Sequence, residues 1–251
     1  MNVVLVTAPL DPDRLRTACS TARARGARVG IVPAGPGPRR LPAAWRTDVA
    51  GRDVLVLPVG GGVPRSRRLG RAFDVGAAAL LAVLTAPVWL LAAAAIRADS
   101  PGPVLFAQER VGRDGRRFRI WKFRTMRADA PPYARSPGDA DPAVTRVGRL
   151  LRPAGLDELP QLYNVLRGEM RLVGPRPEMP FIVDRYTPLE RERLRATPGI
   201  TGLWQLCGDR SRPMHEQLEY DLAYAACASA ALDARILVGT AARALRALTG
   251  A

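Results

Sequence analysis

Asp157 and Glu158 are adjacent carboxylates, followed by Pro160 and the apolar-rich stretch Gln161-Leu162-Tyr163-Asn164-Val165-Leu166. Proline costs least in a helix's first turn, where its missing N–H has no partner anyway, so the spacing predicts a helix over 157–166 with Asp157 as N-cap. Taken alone this is a structural reading, because aspartate is a common cap and acidic residues suit the positive end of the helix dipole. The chemical reading uses the same geometry. A carboxylate at a helix N-terminus is held ionised by the dipole and the free amides, and those amides also attract phosphate. Attack by Asp157 on phosphorus would give an acyl-phosphate. Glu158 could then hold Mg2+, a hard ion content with one or two carboxylates plus phosphate oxygens.

Such a site needs fixed positive charge, and Lys122, Arg152 and Arg176 are the candidates on either side in sequence. Of the 38 basic residues, Lys122 alone is not arginine, so a chain that uses Arg for plain charge carries Lys at this one place. Arg152 and Arg176 belong to a crowd and by default decorate the surface. Arg176 lies in Gly174-Pro175-Arg176-Pro177, a turn with little backbone freedom, which lowers the entropy cost of presenting its guanidinium to an anion. Asp221, on a predicted helix after Glu219-Tyr220, reads locally as a solvated acid.

Other chemistries are poorly served. The single histidine, His215, leaves no histidine relay to activate a nucleophile, so the work falls to carboxylates, Arg and Lys. Cys19, Cys207 and Cys227 are odd in number, widely spaced and without a CxxC pair. Neither a disulfide framework nor a zinc site is expected, and the thiols are expected to be reduced or buried. A formal charge of +15 asks for an anionic partner, whether nucleic acid, anionic headgroups or phosphorylated substrates. Nucleic acid fits worst, because the basic residues are not interleaved with aromatic stacking positions.

The elements around these residues begin with an α/β block over 1–66: strand Val3–Val6, helix Asp13–Arg25, and strands Val29–Val32 and Val54–Leu57. Gly60-Gly61-Gly62 reads as a linker. Its Met1-Asn2-Val3-Val4 start lacks a signal peptide's basic n-region, so no export is expected. Val75–Ile96 is 22 residues without a charge, about 33 Å as a helix against a hydrocarbon core of about 30 Å. Nine alanines leave a buried core helix as the competing reading. Arg65, Arg67, Arg68 and Arg71 precede the segment, and Arg97, Arg110, Arg113, Arg116 and Arg117 follow it. Positive charge at both ends favours a helix that turns back, and Pro87 can break it. Beyond it come a turn at Ser100-Pro101-Gly102-Pro103, strands Val104–Phe106 and Phe118–Phe123, and a helix Thr145–Arg152. A strand Ile200–Leu206, a helix Glu216–Ala230 and an amphipathic or interfacial tail Leu232–Leu248 complete the chain.

These motifs together resemble the bacterial sugar transferase family, the monotopic phosphoglycosyl transferases. The resemblance rests on Phe73-Asp74, Ser100-Pro101-Gly102-Pro103-Val104-Leu105-Phe106, Gln108-Glu109-Arg110-Val111-Gly112 and Lys122-Phe123-Arg124-Thr125-Met126. Leu156-Asp157-Glu158-Leu159-Pro160-Gln161-Leu162, Gly174-Pro175-Arg176-Pro177 and Pro198-Gly199-Ile200-Thr201-Gly202 complete it, in family order. It implies an α/β (α+β) fold: a small cytoplasmic catalytic domain over 67–251 carrying a Pro-broken re-entrant membrane helix (72–97), preceded by a short α/β accessory unit (1–66). It implies transfer of sugar-1-phosphate from a nucleotide (UDP) sugar to polyprenyl (undecaprenyl) phosphate at the bacterial cytoplasmic membrane. Asp157 would be the nucleophile, Glu158 the Mg2+ partner, and Lys122, Arg152, Arg176 and Asp221 would surround the phosphates. Arg210 joins them across an interrupted motif, Gly208-Asp209-Arg210. The family's Ser-Pro break stands here as Ala86-Pro87, without the serine hydroxyl. A membrane-docked scaffold without turnover is the alternative within the same fold.

Overall fold

The computed structural model describes residues 3–6, 11–32, 46–49, 52–57, 67–130, 141–208 and 214–249. The Gly60-Gly61-Gly62 linker and Arg210 lie outside them. The N-terminal block is β1 (Val3–Val6), α1 (Pro12–Ala24), β2 (Arg28–Ile31), β3 (Arg46–Val49) and β4 (Arg52–Leu57). Its sheet runs β1-β2-β4-β3, parallel between β1 and β2, as the intervening helix requires, and antiparallel elsewhere. Asp11 caps α1, and Leu15, Cys19 and Ala22, spaced for one helix face, are buried.

The uncharged segment forms α2 (Arg67–Leu84) and α3 (Ala86–Asp99), bent by 59°. Pro87 stands at the start of α3, and the hydroxyl absent from Ala86 is supplied one residue earlier. Thr85 Oγ1 donates to the Leu81 carbonyl at 2.7 Å and accepts from Trp89 Nε1 at 3.1 Å. Exposure excludes a buried core helix: Leu80, Val83, Leu84, Leu90 and Leu91, all near the bend, are 59–73% exposed. Among the described residues no single helix is long and apolar enough to cross a membrane, while this bent pair passes that test jointly. The α2 end is fastened to the rest of the chain. Arg71 donates to the Val165 and Leu166 carbonyls, and the fully buried Asp74 accepts from Arg171 Nε at 2.8 Å.

The remaining elements are β5 (Leu105–Val111), β6 (Arg117–Phe123), α4 (Arg146–Ala154), α5 (Gln161–Arg167), β7 (Arg171–Val173), α6 (Pro180–Val183) and α7 (Pro188–Arg191). After these come β8 (Gly199–Thr201), α8 (Leu203–Cys207), α9 (Glu219–Cys227) and α10 (Ala230–Thr249). β5 and β6 pair antiparallel around a turn where Asp114 has φ 54°, and β7 pairs parallel with β8. The expected strand over Ile200–Leu206 stops at Thr201 and becomes α8. Leu203 and Cys207, one helical turn apart, are both buried there, so packing overrides the strand-like composition.

One core joins the N-terminal block to the rest: Leu15, Val29, Ile31 and Leu57 belong to the same buried cluster as Leu162, Met170, Tyr224 and Ile236. Across it Cys19 of α1 is disulfide-bonded to Cys227 of α9, a pairing that corrects the expectation of no disulfide. The reason is tertiary. Packing of α1 on α9 brings together two residues 208 apart, a proximity invisible in their spacing. Cys207 is free and buried, and burial pushes its thiol up to about 12.

Candidate functional site

Asp157 is not a helix cap. Gly155 ends α4 in the left-handed region, at φ 71°, which favours glycine. The next three residues, Leu156–Glu158, form a 3-10 turn, and α5 starts only at Gln161 with Pro160 in the cap position. Because α4 and α5 are joined so tightly, the acidic pair occupies the corner between them.

Asn164 of α5, fully buried, fixes this corner against β6. Its side-chain oxygen accepts from the Trp121 N–H at 3.1 Å, and its amide nitrogen donates to the Arg119 carbonyl at 2.7 Å and to Glu169 Oε2 at 2.7 Å. The next residue of the strand is Lys122. Its Nζ reaches Glu158 Oε1 at 2.7 Å, and Arg176 Nη1 reaches the same oxygen at 3.1 Å. Glu158 Oε2 accepts no bond from a described residue.

Three residues at and just beyond the end of β6 do separate work. Lys122 binds Glu158, and Arg124 grips the Ser100 and Pro101 carbonyls at the exit of α3. Thr125 Oγ1 accepts from Arg152 Nε at 3.0 Å, which orients that guanidinium from α4. Gly102, at φ 119°, is required by this packing, since a Cβ there would strike the Arg124 guanidinium.

The two carboxyls are driven apart electrostatically. Burial alone would raise Glu158, but Lys122 and Arg176 overcome it and hold the group well below the usual carboxylate range. Asp157 is raised, chiefly by burial and secondarily by the neighbouring Glu158 charge. Lys122, Arg176 and Arg152 pull it back only in part. The helix end expected to favour the charged form does not stand at Asp157, since α5 begins only at Gln161. The Asp157 carboxylate makes no hydrogen bond to a described residue and is nine-tenths buried. Burial also lowers Lys122.

The structure thus gathers Asp157, Glu158, Lys122, Arg152 and Arg176. Asp221 is elsewhere in the network: it is 1% exposed rather than solvated, and its bonded partner is Arg193. Arg193, Asn164 and Thr125 are contributors that the sequence reading did not single out. Asn164 carried a faint signal, a polar residue inside an apolar helical run, whereas Arg193 carried none among so many arginines. Among the described residues no three His, Cys, Asp or Glu side chains cluster as a metal cage.

The carboxylate pair ringed by fixed cations stands beside the bent apolar helix pair, and the sequence comparisons identify the chain as a transferase. The chain belongs to the bacterial sugar transferase family, whose sequence model matches residues 65–247. It is 46% identical over 200 residues to the UDP-glucose:undecaprenyl-phosphate glucose-1-phosphate transferase of Caulobacter vibrioides, covering 75% of this chain and 74% of that protein. It is 42% identical to the undecaprenyl-phosphate glucose phosphotransferase of Komagataeibacter xylinus, over 66% of this chain and 34% of that one. Against an exopolysaccharide production protein of Rhizobium leguminosarum the identity is 37%, over 68% of this chain and 92% of the other. The chain thus spans most of two of these relatives and about a third of the Komagataeibacter one.

Proposed function

We propose that the protein transfers a sugar-1-phosphate from a UDP-sugar to undecaprenyl phosphate through a covalent phosphosugar on Asp157, as an opening step of polysaccharide or glycoconjugate assembly. The observation that carries the reading is the division between the two adjacent carboxyls. Glu158 is tied to Lys122 and Arg176 and kept ionised, while Asp157 is buried, raised and without a hydrogen bond to a described residue, so its lone pairs are available. Paired titratable groups pushed in opposite directions mark divided roles. The names of the relatives supply the substrate class.

In the first half-reaction an Asp157 oxygen forms a bond to the sugar-bearing phosphorus, and the bond from that phosphorus to the bridging oxygen breaks. That oxygen leaves with the electron pair as part of UMP. In the second, a phosphate oxygen of undecaprenyl phosphate attacks the same phosphorus and Asp157 leaves as carboxylate. Lys122, Arg152 and Arg176 supply fixed positive charge for the phosphates without reorganising. Asp157 must be ionised to attack, so its raised pKa places the acid limb of the rate profile above the ordinary aspartate value of about 3.9.

The donor set suits Mg2+: a hard carboxylate with one oxygen bonded by no described residue, next to a second carboxylate, as this ion uses alongside phosphate oxygens. Glu158 would hold it, and when bound it neutralises charge on the phosphates. The bent pair is read as a re-entrant membrane segment, its apolar bend inserted and its arginine-flanked ends on the cytoplasmic face of the bacterial inner membrane.

The test is release of UMP by purified protein given Mg2+, undecaprenyl phosphate and UDP-glucose, UDP-galactose or UDP-N-acetylgalactosamine, the donors named among the relatives. Asp157→Asn abolishes release, and mass spectrometry of the wild type shows one phosphosugar added to the Asp157 peptide. Full activity in Asp157→Asn would sink the mechanism. Nucleotide-sugar binding with neither adduct nor UMP would favour the scaffold reading.

A further inference from the structure

The turn that presents Arg176 is pinned at three successive carbonyls by three different elements. The Gly199 N–H of β8 donates to the Pro175 carbonyl at 2.9 Å, and Arg193 Nη2 donates to the Arg176 carbonyl at 2.8 Å. Arg110 Nη1 of β5 donates to the Pro177 carbonyl at 3.3 Å. The first is a backbone bond that many sequences could make, and the third comes from the Arg110 guanidinium, which also faces Glu178 at 3.7 Å. The second requires a buried cation, since Arg193 is 2% exposed.

Arg193 sits in a 3-10 turn directly after α7 and its guanidinium meets four partners. Nη1 donates to the Tyr186 hydroxyl at 2.6 Å, while Nη2 serves the Arg176 carbonyl and Asp221 Oδ2 of α9, with the softer Met214 Sδ at 3.6 Å. Among the described residues Asp221 makes no other hydrogen bond, and its Oδ1 is buried without a partner there. A buried ion pair is a poor device for stability, because desolvating both charges offsets much of their attraction. What such a pair does supply is fixed geometry, and a planar fork can address three acceptors at set angles where an ammonium cannot.

We infer that Arg193, held by Asp221 and Tyr186, is a positioning residue for the transfer reaction: it fixes the Arg176 backbone and so sets where the Arg176 guanidinium meets Glu158. The prolines on both sides of Arg176 leave the backbone little freedom to compensate if that anchor is lost. This gives Asp221 a role one step behind the phosphates. Its charge holds the group that holds the group in the site. The inference rests on the proposed reaction and adds to it which residues make Arg176 effective.

The experiment is a double-mutant cycle on the full-length protein in detergent or lipid discs. The readout is single-turnover formation of the Asp157 adduct, followed over hours so that large losses stay measurable. Arg193→Lys, which keeps the charge but not the fork, is expected to slow adduct formation roughly 10- to 100-fold, the scale on which misplacement of a catalytic group by about 1 Å acts. In an Arg176→Ala background the same substitution is expected to cost less than about twofold, because the side chain it positions is gone. Losses that multiply in the double variant would overturn the inference, as would an Arg193→Lys rate within twofold of wild type. If Arg193→Lys does not fold, Asp221→Asn, which is isosteric and leaves Arg193 in place, runs the same cycle with the same two outcomes. A wild type that forms no adduct instead refutes the proposed reaction and takes this inference with it, so the two failures are told apart by the wild-type control.

Discussion

Replacing Lys122 by Met removes one of the two cations on Glu158 while leaving the aliphatic volume. Breaking a buried pair by deleting one partner costs about 3–5 kcal/mol. Two features lower that figure here. Arg176 still binds the same carboxylate oxygen at 3.1 Å, and the Lys122 and Glu158 side chains keep 16% and 19% of their surface exposed. A loss of about 2 kcal/mol follows, equivalent to about 4–8 °C in melting midpoint for a chain of this size. The pH dependence has a definite sign. Glu158 has a depressed pKa in the folded state, so its contribution is present above the ordinary glutamate value of about 4.3 and is lost as pH falls through the folded value. Asp157 is raised, so its ionisation penalises the fold at neutral pH and the penalty is relieved on acidification. Without Lys122 the depression of Glu158 shrinks and the elevation of Asp157 grows. The gap between wild type and variant is therefore widest near pH 7 to 8 and narrows toward pH 4. Intrinsic-fluorescence melts across that range read it directly. A midpoint unchanged or raised at pH 7, or a gap that widens on acidification, would refute the ion-pair account.

The apolar bend gives a second prediction: the paired substitution Leu84→Arg and Leu90→Arg, on side chains 65% and 73% exposed, releases the protein from membranes in sedimentation while leaving its melting midpoint within a few degrees. Retention on membranes at high salt would show that the bend is not the anchor. For the disulfide, non-reducing peptide mapping is expected to link Cys19 to Cys227 and leave Cys207 free. Cross-linking residues 208 apart sets an upper figure of about 5 kcal/mol by loop entropy, so Cys227→Ala lowers the midpoint, and reductant does the same to the wild type. Midpoints that do not move in either case would show that the bond does not staple α1 to α9.

What could be read from the sequence depended on whether the controlling interaction was local. Lys122 stood out because its type broke a compositional habit, and Arg176 because prolines restrict it on both sides. Both restraints act within a few residues, and the structure brings these two side chains onto one oxygen of Glu158. The helix start was misplaced for an equally local reason. The glycine that closes α4 stands two residues before Asp157, and its left-handed conformation turns the chain before α5 can begin there. With Gly155 weighed as a C-terminal stop, the cap reading of Asp157 loses its basis. Arg193 is different in kind. Its partners Asp221 and the Arg176 carbonyl lie 28 and 17 residues away, and nothing in its own neighbourhood separates it from the other arginines. The Cys19–Cys227 bond is more remote still.

The fastening of the bent pair bears on why the acidic pair is built into a corner rather than a loop. α2 is tied to α5 through Arg71 and to β7 through Asp74, while the exit of α3 is held by Arg124, the residue directly beyond β6. Trp89 of α3 also packs edge-on against Phe123, the neighbour of Lys122, with ring centroids 5.7 Å apart. The elements that receive these ties, α5 and β6, are the ones that Asn164 clamps together around Asp157 and Glu158. In the proposed reaction one substrate is water-soluble and the other carries its phosphate at the headgroup level of a bilayer. A nucleophile on a mobile loop would meet that phosphate at variable depth and lose much of the advantage of fixed orientation. Because the ends of the bent pair are bonded to the same elements that hold the acidic pair, the depth at which the bend inserts in the proposed membrane-bound state also sets the height of Asp157 over the membrane.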